Sequence, residues 1–512
     1  MRAGFLLFAA LAFAQFAGAA EPALKQLYPL GGQQGTTVSV TATGAFDPWP
    51  PQFWADTPGL VFRAAKEMGK LTVEIAQDAA PGPHLVRLFN AQGASAPRLF
   101  FVSAEPEILE VEPNDDFKSP QKIEALPVTI SGRLEKPGDV DSFAVTLKQG
   151  TPLTASVEAF VLGSPFDGML RVVDPNGTQF AFNHDGRTLD PLLSWTAPRD
   201  GTYVVQLMGF AYPPGSNVNF VGNENCVYRL HLTAEAVPPV FFPPAGVPEK
   251  VESEPNDTAP EAGALSVPGA IAGAIQHDGD EDCFAFTAVK GTSYEVSLLA
   301  ARAGSPLNGL LRIESPDGKT LAKEDGQGSG RDPKAIVWKA PADGRIIVVV
   351  GDLTHRGSKN HLYRLTVQEP VPSVSATAAI HSLVVPTDKG GELKVTVKRT
   401  NGFQAALQLA AKDLPAGVTA PEQDVPEKDG DVTLKFTVGE GAAPVSQPLH
   451  LVLREKEGGA EHPVRYLLPA SGDKGDAAAG PSDLIIDSTE TFWLTIPEKS
   501  APAAPAKPEP PK

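Results

Sequence analysis

The sequence predicts an all-β protein built of tandem β-sandwiches. Three observations predict this class. Short stretches with period-two alternation of apolar and polar residues recur along the chain, for example at 36–42, 70–75 and 431–438. The 512 residues include 48 glycines and 50 prolines without a collagen period, so they read as punctuation between many short strands. A long stretch in the middle of the chain occurs twice, with most landmarks offset by 141 to 143 residues.

Composition narrows the partners. The net charge is −18 and no basic stripe is visible, which argues against nucleic acid and anionic membrane surfaces. An acidic balance suits a soluble extracellular protein, and carboxylates are hard oxygen ligands, although most such charges are simply solvated surface. Cys226 and Cys283 fall at non-equivalent places in the two repeats. This excludes a disulfide framework and a CxxC site. Two buried free thiols are expected, with a bridge between modules as the alternative.

In chain order, residues 1–20 read as a secretory signal: Arg2, an apolar run over 5–13, and small residues at Ala17-Gly18-Ala19. An uncleaved anchor is the alternative. No later stretch approaches the length of a membrane span. Residues 21–103 form one alternating, turn-punctuated unit. Its opening Leu27-Tyr28-Pro29-Leu30-Gly31-Gly32, then Gly35-Thr36-Thr37-Val38, and the later Ala80-Pro81-Gly82 turn resemble an immunoglobulin-like domain of the IPT/TIG type.

The duplication spans 104–236 and 251–369, joined by a proline-rich linker at 237–250. Glu110-Val111-Glu112-Pro113-Asn114-Asp115 matches Glu252-Ser253-Glu254-Pro255-Asn256-Asp257. Asp139-Val140-Asp141-Ser142-Phe143 matches Asp280-Glu281-Asp282-Cys283-Phe284. The turn Asp174-Pro175-Asn176-Gly177 matches Ser315-Pro316-Asp317-Gly318, Trp195 matches Trp338, and Tyr228-Arg229-Leu230 matches Tyr363-Arg364-Leu365. The pattern predicts about eight strands per unit, enough for a jelly-roll-like sandwich. These ordered motifs resemble the bacterial pre-peptidase C-terminal (PPC) domain family. The resemblance implies non-catalytic β-sandwiches of secreted proteins, often found beside proteases. It also implies calcium binding, because in related collagen-binding modules of clostridial collagenases the acidic opening and the following Asp cluster hold that ion. Residues 370–497 resemble a further immunoglobulin-like module with a small, polar insertion near 470–481, and 498–512 form a Pro/Ala/Lys tail.

Calcium takes six to eight oxygens. The candidate ligands are Glu110, Glu112, Asn114, Asp115, Asp139 and Asp141 in the first repeat, and Glu252, Glu254, Asn256, Asp257, Asp280 and Asp282 in the second. Pro113 favours an extended Glu112, and side chains two apart on a strand share a face, which would place Asp139 and Asp141 together. The plain alternative is a solvated acidic edge. An EF-hand is not supported, since Cys283 stands where that loop requires glycine. GxSxG and HExxH signatures are absent, and the nine histidines are scattered. Trp195 and Trp338 are expected to pack in cores. Trp49, Phe53 and Trp54 are expected to pack too, with an exposed aromatic patch as the alternative. The expectation is an exported, non-enzymatic scaffold or binding protein stiffened by calcium, with an extracellular protein or polysaccharide as partner. The alternative is an accessory or substrate-binding subunit of a secreted protease or polysaccharide hydrolase.

Overall fold

The computed structural model describes residues 20–184, 186, 189–212, 219–235, 246–303, 305–326, 332–469 and 485–498. The leader, most of the proline-rich linker, the insertion near 470–481 and nearly all of the tail lie outside the described residues. Among the described residues every regular element is a strand, apart from two 3-10 turns at Phe160–Leu162 and Ala301–Ala303, at matching places in the two repeats.

The first module is a sandwich of two sheets. Ala23–Tyr28, Thr37–Ala45, Lys70–Ile75 and Leu60–Ala64 lie side by side in that order. They face Gly31–Gln33, Arg98–Ser103, Gly82–Asn90 and Gln52–Ala55. The alternation that marks these strands places Val40, Leu71, Val73, Leu88 and Phe100 in one buried core. Trp49 and Phe53 pack against that core, and the Trp49 indole donates to the Ala65 carbonyl at 2.8 Å. Packing therefore accounts for these aromatics, and the structure does not assemble them into an exposed platform.

The two repeats have the same topology. In the first, Val128–Arg133, Val227–Thr233, Pro152–Glu158 and Leu192–Thr196 form one sheet in that order. Asp141–Leu147, Gly201–Ala211, Phe166–Val173 and Gln179–Asn183 form the other. This is the strand order of an eight-stranded jelly roll. The second repeat reproduces it with Gly269–Ala274, Leu362–Gln368, Ser293–Leu299 and Ile336–Lys339 against Glu281–Ala288, Gly344–Asp352, Gly309–Glu314 and Thr320–Asp325. Each repeat also carries two short strands that alternation does not reveal. Glu107–Leu109 and Gln121–Lys122 add parallel to the edges of the two sheets, as do Glu249–Val251 and Gly263–Ala264. Two or three residues are too few to show a period. The strand at Glu249–Val251 also begins inside the stretch read as linker. Trp195 and Trp338 pack at the rims of their cores, and both cysteines are buried and free.

In the last module the strand Thr491–Ile496 pairs antiparallel with Val445–Glu455 and parallel with Ser382–Val384. Its Trp493 is fully buried against Trp54 and Phe89 of the first module. Beside it Arg87, also fully buried, donates to the carbonyls of His381 at 3.2 Å and Thr491 at 2.7 Å. The first and last modules are thus joined by an aromatic cluster and a charged donor that supplies two backbone acceptors. Replacing Arg87 by Leu removes the guanidinium from both acceptors, of which the His381 carbonyl keeps the Trp493 N–H at 3.0 Å. The expected cost is about 2–3 kcal/mol, read as a lower midpoint and a broadened or split calorimetric transition.

Candidate metal centre

The acidic opening segment crosses from one sheet of its jelly roll to the other. It leaves the short strand Glu107–Leu109, passes over the end of the sandwich through 110–115, and rejoins at Gln121–Lys122. The Gln121 side chain staples the crossing, accepting from Val111 N–H at 2.8 Å and donating to Leu109 O at 3.1 Å. The crossing lays the acidic residues on the turn and strand that carry Asp139 and Asp141.

In the first repeat the acids fall into two groups. Glu110 turns inward. Its Oε1 accepts from Arg133 N–H at 2.8 Å, and its Oε2 lies 2.7 Å from the Tyr228 hydroxyl. That hydroxyl also lies 2.6 Å from Asp141 Oδ2. A hydroxyl has one proton, so the second of these contacts needs a proton from a carboxyl. Burial provides for this: it pushes Glu110 up to about 7, and burial together with the Glu110 charge holds Asp141 well above the usual carboxylate range. Tyr228, fully buried between the two acids, is likewise held far above its ordinary value.

The second group faces the crossing segment. Glu112, Asp115 and Asp139 bring one carboxylate oxygen each within 4.8 Å of one another. Glu112 Oε2 accepts from Asn114 N–H at 2.8 Å, while its Oε1 is buried without a hydrogen-bond partner. Asn114 is fully buried and neither atom of its amide is hydrogen-bonded. Asp139 and Asp141 are also fully buried, and each has an Oδ1 without a hydrogen-bond partner. Burial raises Asp139 to about 6, and hydrogen bonding to Asp139 and Lys136 holds Asp115 below its usual value.

Asp139 and Asp141 do not reach this arrangement as neighbours on one strand face. The strand starts at Asp141, and Asp139 sits in the preceding turn after Gly138, whose φ is +89°. The two-residue period therefore does not extend to Asp139. Asp141 reaches the tyrosine and Asp139 reaches Asp115.

The second repeat repeats the design. Glu252 accepts from Ala274 N–H at 2.7 Å, and the Tyr363 hydroxyl lies 2.8 Å from Glu252 and 2.5 Å from Asp282. Burial pushes Asp282 up to about 9. Glu254 accepts from Asn256 N–H at 2.9 Å and from Gln276 Nε2 at 3.1 Å. Asn256 is fully buried, and with its amide nitrogen turned toward the acids it donates to Glu254 Oε2 at 3.3 Å and to Asp282 Oδ1 at 3.0 Å. Asp257 and Asp280 approach each other beside His277, and Asp280 Oδ1 is buried without a hydrogen-bond partner.

The donor set suits a hard cation. Fully buried oxygens without hydrogen-bond partners are costly unless something cationic meets them, and an amide oxygen among carboxylates is a calcium-type arrangement. Of the twelve predicted residues, Glu112, Asp115 and Asp139 bring ligand atoms within 4.8 Å of one another in the first repeat, as do Glu252, Glu254 and Asp282, and separately Asp257 and Asp280 with His277, in the second. Glu110 is held by tyrosine and backbone, and Glu252, held in the same way, still offers an oxygen alongside Glu254 and Asp282.

Sequence reasoning missed three pairs. Tyr228 and Tyr363 bridge the acids. Gly132 and Gly273 clear space for them: a Cβ at Gly132 would lie 2.2 Å from the Tyr228 hydroxyl and 2.4 Å from Glu110 Oε2. Lys136 and His277 flank the aspartates. The tyrosines and glycines recur in both repeats, and that recurrence was the available signal.

Comparison with known proteins gives a local likeness. No family model matches the chain. It is 33% identical over 103 residues, 19% of its own length, to a probable subtilase-type serine protease of Deinococcus radiodurans, and it spans 14% of that relative's length. Among solved structures, it is similar to the eight N-terminal immunoglobulin domains of Down Syndrome Cell Adhesion Molecule, at 10% identity, 87% of this chain, 57% of that one and a TM-score of 0.19. The D0–D1 domain of Intimin matches at 11% identity, 38% of this chain, 94% of that one and a TM-score of 0.14. No helix among the described residues is long and apolar enough to cross a membrane.

The bridge and the space beneath it can be tested without metal. Tyr228→Phe leaves two buried carboxyls without their shared hydroxyl and should cost about 1–3 kcal/mol in urea unfolding. Gly132→Ala should cost about 1–3 kcal/mol by overpacking the same point, with Gly201→Ala, whose Cβ would meet nothing closer than 3.9 Å, as a control for the general effect of a methyl.

Proposed function

We propose that the chain is an exported, non-catalytic scaffold or binding protein whose two PPC-like modules are stiffened by calcium at their opening segments. Glu112, Asn114, Asp115, Asp139 and Asp141 would hold the ion in the first module. Glu252, Glu254, Asn256, Asp257, Asp280 and Asp282 would hold it in the second. Glu110 and Glu252 hold the crossing segment to its tyrosine.

The observation that carries this reading is the fully buried Asn114, whose amide has no hydrogen-bond partner, together with buried oxygens of Glu112, Asp141 and Asp280 that likewise lack one. A solvated acidic edge does not explain them. A cation would neutralise the clustered charge and tie the crossing segment to the sandwich, and binding to the native form alone stabilises it. The ordered PPC-like motifs support the family reading, and the apolar leader sequence supports export. The non-catalytic reading rests on the lack of a recognisable nucleophile or zinc-hydrolase signature in the sequence. A second reading, an accessory subunit of a secreted protease, is favoured by the local similarity to the subtilase-type relative.

Calcium at a hundredfold over its dissociation constant should stabilise a module by about 2.7 kcal/mol relative to excess chelator, read as a higher melting temperature. Asp141→Asn combined with Asp282→Asn should abolish that increment. Identical unfolding curves in calcium and in chelator would overturn the calcium reading. Incubation with casein and common polysaccharides tests the rest, since reproducible turnover would overturn the non-catalytic assignment.

A further inference from the structure

The two copies of the centre differ at one flanking position. Lys136 and His277 each stand three residues before the first aspartate of the pair. Lys136 Nζ lies 3.0 Å from both Asp115 oxygens and 3.3 Å from Asp139 Oδ1. The first copy thus carries a cation of its own on those two carboxylates. In the second copy the same place holds an imidazole, with Nε2 3.9 Å from Asp280 Oδ1 and Nδ1 3.5 Å from the Asp278 carbonyl. Asp257, His277 and Asp280 each offer one ligand atom, all within 4.8 Å of one another. Asp280 is 4% exposed. Its Oδ2 accepts from Gln276 N–H, and its Oδ1, which faces the imidazole, has no hydrogen-bond partner.

We propose that the second module binds a divalent metal of the zinc class through Asp257, His277 and Asp280, and that the first module lacks an equivalent because Lys136 stands in place of the imidazole ligand. An imidazole nitrogen is a poor calcium ligand and a good one for zinc. Zinc bond lengths to nitrogen and oxygen place tetrahedral neighbours about 3.3 Å apart. A small rotation of the imidazole, whose side chain is 69% exposed, closes the 3.9 Å gap. With its Nδ1–H toward the Asp278 carbonyl, the ring turns the Nε2 lone pair toward Asp280, as metal-bound histidines commonly do. The site shares Asp257 and Asp280 with the proposed calcium set, but does not require calcium to bind there.

The test is calorimetric titration of the full chain with zinc in calcium-free buffer. Wild type should take up one equivalent. His277→Ala should weaken that equivalent at least tenfold, and Lys136→His should add a second. Thermal melts without metal check that each variant is folded. Calcium titration of His277→Ala separates the readings, since a retained calcium response with lost zinc binding supports this site independently. Zinc binding undiminished in His277→Ala overturns the proposal, as does a wild-type chain that takes up no zinc. A Lys136→His chain without a second equivalent overturns the role given to Lys136.

Discussion

The organisation of each duplicated module depends on one hydroxyl shared by two buried carboxyls. Tyr228 stands between Glu110 on the crossing segment and Asp141 on the sandwich, and Tyr363 stands between Glu252 and Asp282. The next residue on each closing strand points to the opposite face. Arg229 there pairs with Glu107 and Glu158, donates to Ser103 of the first module and lies 4.2 Å over the Phe101 ring. Arg364 pairs with Glu249 in the same way. A Tyr-Arg dipeptide therefore holds the opening segment on one side of a sheet and the module entrance on the other. The acidic opening is held by the last strand of its own module, so the two ends of each module are mechanically coupled.

This arrangement concentrates charge that the protein alone does not fully neutralise. Buried acids are tolerated when they are protonated, hydrogen-bonded or paired with a cation. The first repeat draws on all three, with raised carboxyls, a tyrosine and the Lys136 ammonium. The second lacks the ammonium at the corresponding place. Duplication preserved the frame of tyrosine, glycine and glutamate, while the flanking residue that sets local charge diverged.

Much of this was legible in sequence. The alternation and turn residues gave the sandwiches, and matched landmarks gave two copies with one topology. Thr491-Phe492-Trp493-Leu494-Thr495-Ile496 could be read as a strand because its six residues are β-branched, aromatic or leucine, a composition typical of a buried strand. The two- and three-residue strands flanking each acidic crossing could not, because their pairing comes from the neighbouring sheet edge and not from their own pattern. The acidic residues of the centre were visible as spacing. Their division between the buried tyrosine and the crossing segment was not, because it depends on Tyr228, over a hundred residues from Glu110, and on a strand that starts two residues later than the spacing suggested. Trp54 was expected to pack, but its partner could not be named because Trp493 belongs to another module.

The strand Thr491–Ile496 has a consequence for how the molecule is made. It completes the last sandwich and also supplies the wall on which Trp54 and Phe89 rest. During synthesis the first module emerges with that face bare, and it stays bare until almost the whole chain has followed. A chain cut short before residue 491 lacks one strand and also displays a sticky aromatic face at its other end. Loss of that one strand would thereby bare apolar surface on two modules at once, the kind of exposure that makes incomplete chains prone to aggregate.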